Sequence, residues 1–165
     1  MPEKFKVMVI TLSDRASRGE YEDLSGPAVV KYISYVMASA GWDSEIKTTI
    51  IPDDAGRLKQ LLDGSDGYDL IITTGGTGIG PRDITVDVVK PLLTKELPGI
   101  MELIRVKYGM KKPGALISRA VAGVIGKTLV YTLPGSERAV NEYMTEIVKT
   151  LEHTFYMLHG IDKHK

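Results

Sequence analysis

The sequence predicts an α/β fold, a three-layer domain with a mostly parallel central sheet flanked by helices. Three observations predict it. Strand-like runs alternate with stretches of helical periodicity, the first and third runs are rich in β-branched and apolar residues, and each run empties into a polar or glycine-rich break. A chain of 165 residues falls within the usual range of one domain and is long enough to bury a single core. No repeat, low-complexity tract or linker divides it, so residues 1–165 are read as one domain.

The first strand is Phe5–Leu12, which ends in Ser13-Asp14 and a loop running to about Ser25. Pro27 suits the first turn of a helix over residues 26–40, where Val29, Val30, Ile33, Val36, Met37 and Ala40 recur at helical spacing. Ser44–Ile51 alternates polar and apolar residues, with Ile46, Thr48 and Ile50 on one face, and stops at Pro52-Asp53-Asp54. Asp53 or Asp54 caps the next helix, whose Leu58, Leu61 and Leu62 keep the spacing until Gly64 and Gly67 end it. Residues 68–74 form a third strand running straight into glycine. Residues 85–108 read as two helices, broken by Pro91 and by Pro98-Gly99. Residues 115–120 and 127–133 read as further strands. A long helix over 136–159 carries Val140, Tyr143, Met144, Ile147, Val148, Leu151, Phe155 and Leu158 on one stripe, and Asp162-Lys163-His164-Lys165 reads as a frayed end.

Composition narrows the function. Lysine plus arginine and aspartate plus glutamate both total 21, so no net field favours DNA or an acidic membrane. The absence of cysteine removes thiolate catalysis, disulfides and cysteine-ligated metals. No export signal opens the sequence, and its apolar runs fall short of the roughly 18 residues that span a bilayer, so a cytoplasmic protein without a membrane or nucleic-acid partner is expected. His153, His159 and His164 lie in or after the last helix, away from every strand end, and Trp42 reads as a packing residue.

The sharpest local signal is Thr73-Thr74-Gly75-Gly76-Thr77-Gly78-Ile79-Gly80-Pro81-Arg82-Asp83, between an apolar strand and a helix. Glycine lets backbone N–H groups approach one anion closely, and ligands of open parallel sheets gather beyond the carboxyl ends of strands. The loop lacks the Lys-Ser or Lys-Thr of a P-loop, and its glycines miss the dinucleotide spacing. Ser13-Asp14-Arg15, Pro52-Asp53-Asp54 and residues 75–83 end three successive strands and should open on one edge. There Asp53, Asp83 and Asp14 could hold Mg²⁺ against a nucleotide phosphate, since magnesium uses one or two carboxylates plus phosphate oxygens. Each aspartate alone could equally cap a helix, the reading preferred for Asp54. Ser118-Arg119 and Leu133-Pro134-Gly135-Ser136 supply two more polar breaks, and arginine's planar fork matches phosphate oxygens.

Several ordered motifs together carry a resemblance. They are Ser13-Asp14-Arg15-Ala16-Ser17 with Gly19, Tyr21 and Asp23; Ile51-Pro52-Asp53; residues 73–78 with Pro81-Arg82-Asp83 and Thr85; Glu96-Leu97-Pro98-Gly99; Leu116-Ile117-Ser118-Arg119; and Leu133-Pro134-Gly135. Over residues 7–148 the chain resembles the molybdopterin adenylyltransferases and their close relatives in molybdenum cofactor biosynthesis. Val86 stands where many members have proline, and Ser136-Glu137 where many have an amide residue and proline. The resemblance implies Mg²⁺-dependent transfer of AMP from ATP to the phosphate of molybdopterin, release of pyrophosphate, a homotrimer, and hand-over to a downstream molybdenum-insertion protein. It makes Asp53 and Asp83 catalytic and metal-holding. Ser13, Asp14, Gly75, Gly76, Thr77, Gly78, Arg82, Ser118, Arg119, Pro134, Gly135 and Ser136 then bind the substrates, Ser118 as a serine of the substrate pocket. Two other readings stand beside it: a paralogue that binds molybdopterin or a precursor without efficient adenylylation, and a trimeric interaction module.

Overall fold

The computed structural model describes residues 1–162; the expected frayed end beyond Asp162, with His164, lies outside the described residues. Six strands form one sheet in the order β2-β1-β3-β6-β5-β4. The strands are β1 (Phe5–Leu12), β2 (Ser44–Ile51), β3 (Leu70–Thr74), β4 (Lys95–Glu96), β5 (Ala122–Ile125) and β6 (Thr128–Leu133). The pairs β1/β2, β1/β3 and β3/β6 are parallel, while β4/β5 and β5/β6 are antiparallel. The expected three-layer, mostly parallel architecture is therefore present, with an antiparallel flank at one edge.

Alternation along the central strands serves two cores. Phe5, Val7 and Val9 of β1, Leu70 and Ile72 of β3, and Leu129, Tyr131 and Leu133 of β6 face one side. There they meet α2 (Ser25–Ala40), α5 (Pro98–Gly109) and α6 (Glu137–Leu158). Met8, Ile10 and Leu12, Ile71 and Val130 face the other side, covered by α3 (Ala55–Asp63) and α4 (Thr85–Val89). Burial on both faces is why these strands read as continuous apolar runs. Trp42 stacks on Phe5 with ring centroids 4.7 Å apart and meets Phe155 edge-on at 5.8 Å, a packing role as expected.

Two sequence expectations need correction. Residues 115–120 are not a strand: Pro113–Ile117 is a 3₁₀ turn that exposes Leu116 and Ile117, and the strand begins later, at Ala122. The apolar run points outward because Pro113 and Gly114 favour a turn, whereas Gly126, at φ +60, closes the short hairpin that fixes β5 against β6. In β2 burial alternates only as far as Lys47: Thr48 and Ile50 of the expected face are exposed and Ile51 is buried in the second core, because an edge strand has one neighbour and partial cover. Residues 85–108 do divide into α4 and α5, with a 3₁₀ turn at Lys90–Leu92 and β4 between them. The loop after β1 also contains a short helix, α1 (Asp14–Ser17), capped by the Ser13 side chain.

Candidate active site

Parallel pairing sets the site. Leu12 pairs with Ile51, Thr11 with Thr74, and Thr74 with Leu133, so β1, β2, β3 and β6 finish on one edge. The loops beginning at Ser13, Pro52, Gly75 and Pro134 therefore meet. Backbone bonds from Ser13 N–H to Ile51 O (2.9 Å) and from Gly75 N–H to Leu133 O (2.9 Å) continue the ladders past the strand ends. Thr74 Oγ1 donates to Pro134 O at 2.9 Å, and a Cβ on Gly135 would lie 3.2 Å from Gly75 Cα, so these two loops touch backbone to backbone.

A cleft of about 560 Å³ opens over this edge, lined by Ser13, Asp14, Asp53, Gly75, Gly76, Asp83, Gly135 and Ser136 among others. Within it Asp14 and Asp53 clasp each other: Asp14 N–H donates to Asp53 Oδ2 (3.1 Å) and Asp53 N–H to Asp14 Oδ1 (3.0 Å). Arg82 closes on Asp14 with both arms of its fork, Nε to Oδ2 at 3.0 Å and Nη2 to Oδ1 at 2.9 Å. The Arg82 hydrogen bond, helped by the Asp53 N–H, holds the Asp14 carboxyl below its ordinary range. Asp53 goes the other way. Burial raises its carboxyl, the Asp14 N–H opposes this, and the nearby Asp14 and Asp83 carboxylates add to the rise. Asp83 completes the acidic wall, its Oδ2 accepting from Gly80 N–H at 2.8 Å.

The donor chemistry fits a hard cation that shares its shell with a ligand. No three carboxylates or imidazoles gather closely enough among the described residues to hold a metal by themselves. Asp53 and Asp83 can supply two carboxylates, the number magnesium takes when phosphate oxygens and water fill the rest of its octahedron. A cation there would also offset the burial, and the lesser repulsion from Asp14 and Asp83, that raise the Asp53 carboxyl.

The glycines are required by the fold of the loop as well as by any ligand. Gly75 and Gly76 have φ of +101 and +70, and a Cβ would strike Leu12 O at the first and Thr85 Oγ1 at the second. At Gly78 a Cβ would sit 2.7 Å from Asp83 Oδ2. These positions let the loop fold onto itself around Asp83, so Gly76→Val would strain the loop as well as crowd a ligand. Gly75 N–H is also engaged by Leu133 O and is not free to meet an anion.

Other site residues fall elsewhere. Ser118 and Pro134 line a neighbouring cleft of about 290 Å³ with Lys112, Arg138 and Tyr143. Ser136 lines both clefts and caps α6 by accepting from Ala139 N–H at 3.2 Å. The Thr77 side chain is buried, its Oγ1 accepting from Ser118 Oγ at 3.3 Å. Arg119 is turned away from both clefts and lines a third hollow behind the loop. Sequence reasoning left out Thr11 and Ser25, which line the main cleft with Arg15, Tyr21 and Asp23. Arg15 lies 5.1 Å from the centre of the Tyr21 ring, and Asp23 caps α2, accepting from Thr11 Oγ1 (2.7 Å) and Gly26 N–H (3.1 Å). Thr11 lies inside β1 and Ser25 opens α2, so the polar break after the strand did not signal them.

Comparison with known proteins now decides the family. Residues 8–153 match the family described as "Probable molybdopterin binding domain". The chain belongs to that family. The match spans both clefts and places the chain among the proteins of molybdenum cofactor biosynthesis. A molybdopterin adenylyltransferase of Pyrococcus furiosus is 38% identical over 156 residues, covering 90% of this chain and 88% of that protein. Gephyrin of Dictyostelium discoideum is 34% identical over 98% of this chain, which spans 23% of that longer protein. The crystal structure of a tungsten cofactor synthesizing protein, MoaB, from Pyrococcus furiosus superposes with a TM-score of 0.83 at 35% identity, covering 96% of this chain and 99% of that one.

Proposed function

We propose that this member of the family is a molybdopterin adenylyltransferase, transferring AMP from ATP to the phosphate of molybdopterin. The carrying observation is that the acidic cleft and the smaller cleft meet at Ser136, so two substrates can lie end to end. The name of the Pyrococcus furiosus relative supports the same reaction.

On this reading ATP lies in the larger cleft and the pterin in the smaller. An oxygen of the pterin phosphate attacks the α-phosphorus of ATP, and the bond from that phosphorus to the β-bridging oxygen breaks to release pyrophosphate. No strong nucleophile is required of the protein; positioning and charge neutralisation suffice. Asp53 and Asp83 would hold Mg²⁺, which would neutralise triphosphate charge in this acidic cleft. Gly76, which lines the larger cleft, offers its backbone N–H, and Ser136 brings the N-terminus of a 22-residue helix to the junction, where its partial positive charge favours phosphate. Arg82 lies over the same wall, fixed there by Asp14. Incubating the protein with ATP, Mg²⁺ and molybdopterin should yield adenylylated pterin and pyrophosphate. Pterin binding without that product would mark a non-adenylylating paralogue.

The same reading takes the chain to be a cytoplasmic homotrimer. No helix among the described residues is long and apolar enough to cross a membrane. The break at Pro98 begins α5, which exposes Leu103 and Val106, followed by exposed Met110 at its end and by exposed Leu116 and Ile117. Such exposed apolar side chains suit burial between copies. Light scattering should give the mass of a trimer at micromolar concentration; a stable monomer or dimer would refute the assembly.

A further inference from the structure

The rear of the glycine loop is held by one side chain. Arg119 Nε donates to Gly78 O at 2.8 Å and Nη2 to Asp83 O at 3.1 Å, while its own N–H bonds Thr77 O at 2.8 Å. These carbonyls bracket the turn in which Gly80 N–H meets the Asp83 carboxylate. The start of the loop is gripped separately by α4, through Thr85 N–H to Gly76 O (3.1 Å) and Thr85 Oγ1 to Gly75 O (2.8 Å).

Asp87 joins the two grips. It stands on α4, two residues past Thr85, and takes Arg119 in a fork, Nη1 to Oδ1 and Nη2 to Oδ2, both at 2.9 Å. The pair is partly exposed, 36% at Arg119 and 62% at Asp87, so its contribution to global stability is small. A two-pronged bond nonetheless fixes the plane of a guanidinium, and here that plane decides where the two carbonyls are held.

Resting on the adenylyltransferase reading, we propose that Asp87 is a positioning residue: through Arg119 it fixes the backbone that aims the Asp83 carboxylate into the cleft. Asp87 lies on the far side of the loop and touches neither substrate cleft. Its effect should therefore pass entirely through Arg119.

Hydrogen–deuterium exchange of amides 76–83 tests this on the whole apo protein. Asp87→Ala should speed exchange in the loop about threefold and Arg119→Lys about tenfold, since a lysine cannot fork, with β1 and β3 unchanged. The double variant should exchange no faster than Arg119→Lys alone. In turnover, Asp87→Ala should lower kcat while KM for ATP stays within about twofold, and Asp87→Glu should restore part of the loss. Unchanged loop exchange in Asp87→Ala, additive effects in the double variant, or a rise in KM at constant kcat would each overturn the proposal. If the parent protein does not adenylylate molybdopterin, the function reading fails by itself and the exchange measurements still decide the role of Asp87.

Discussion

Two acidic centres in this molecule have opposite surroundings. Glu146, on α6, is almost fully buried yet fully matched: Lys107 Nζ lies 2.5 Å and Tyr108 OH 3.1 Å from Oε1, and Lys149 Nζ 2.7 Å from Oε2. The bonds from Lys107 and then Lys149 lower its carboxyl to about 2. Asp53 is half-buried, bonded to the Asp14 N–H, and flanked by two further carboxylates; burial raises it. The comparison separates charge that closes a helix–helix contact from charge kept short of partners at a place where a ligand can supply them.

The sharpest way to break this contrast is to remove the cleft charges. Asp83→Asn and Asp53→Asn keep size and hydrogen bonding, so adenylylation should fall by on the order of a hundredfold or more, the scale of losing one electrostatic catalytic group. Molybdopterin affinity, measured by titration calorimetry, should change far less. Normal turnover in both variants would reduce these aspartates to structural residues.

Glu146→Gln should do the reverse. Denaturant unfolding at neutral pH should show a loss of about 2 kcal/mol, because two lysines lose their partner, with activity per folded molecule retained. The pH dependence follows from the sign of the shift. A carboxyl lowered in the folded state contributes stability that is present above its ordinary 4.5 and lost as pH falls toward about 2. The parent should lose stability through that window more steeply than Glu146→Gln, and parallel acid profiles would contradict the assignment.

The smallest effect concerns the stability of Asp53→Asn. A carboxyl raised in the folded state costs stability once pH exceeds its unfolded value, so its neutral replacement should melt at or slightly above the parent temperature without ligand. A variant both inactive and clearly less stable would remove the distinction from Glu146.

The sequence by itself determined the α/β class, the three parallel strands that start the sheet, the glycine loop, and the gathering of Asp14, Asp53 and Asp83. Each rests on a local signal: apolar runs ending in polar breaks, which parallel pairing must bring to one edge. Periodicity likewise showed α6, whose apolar stripe is buried as expected. Only the tertiary structure decided the rest. Residues 115–120 have strand composition, but Pro113 and Gly114 turn them onto the surface and the hairpin at Gly126 claims Ala122–Ile125 instead. Arg119 reads like a phosphate ligand, yet it spends its fork on Asp87, Gly78 and Asp83 behind the loop. The direction of a side chain at a strand end depends on partners tens of residues away, and those partners are chosen by packing rather than by spacing along the chain.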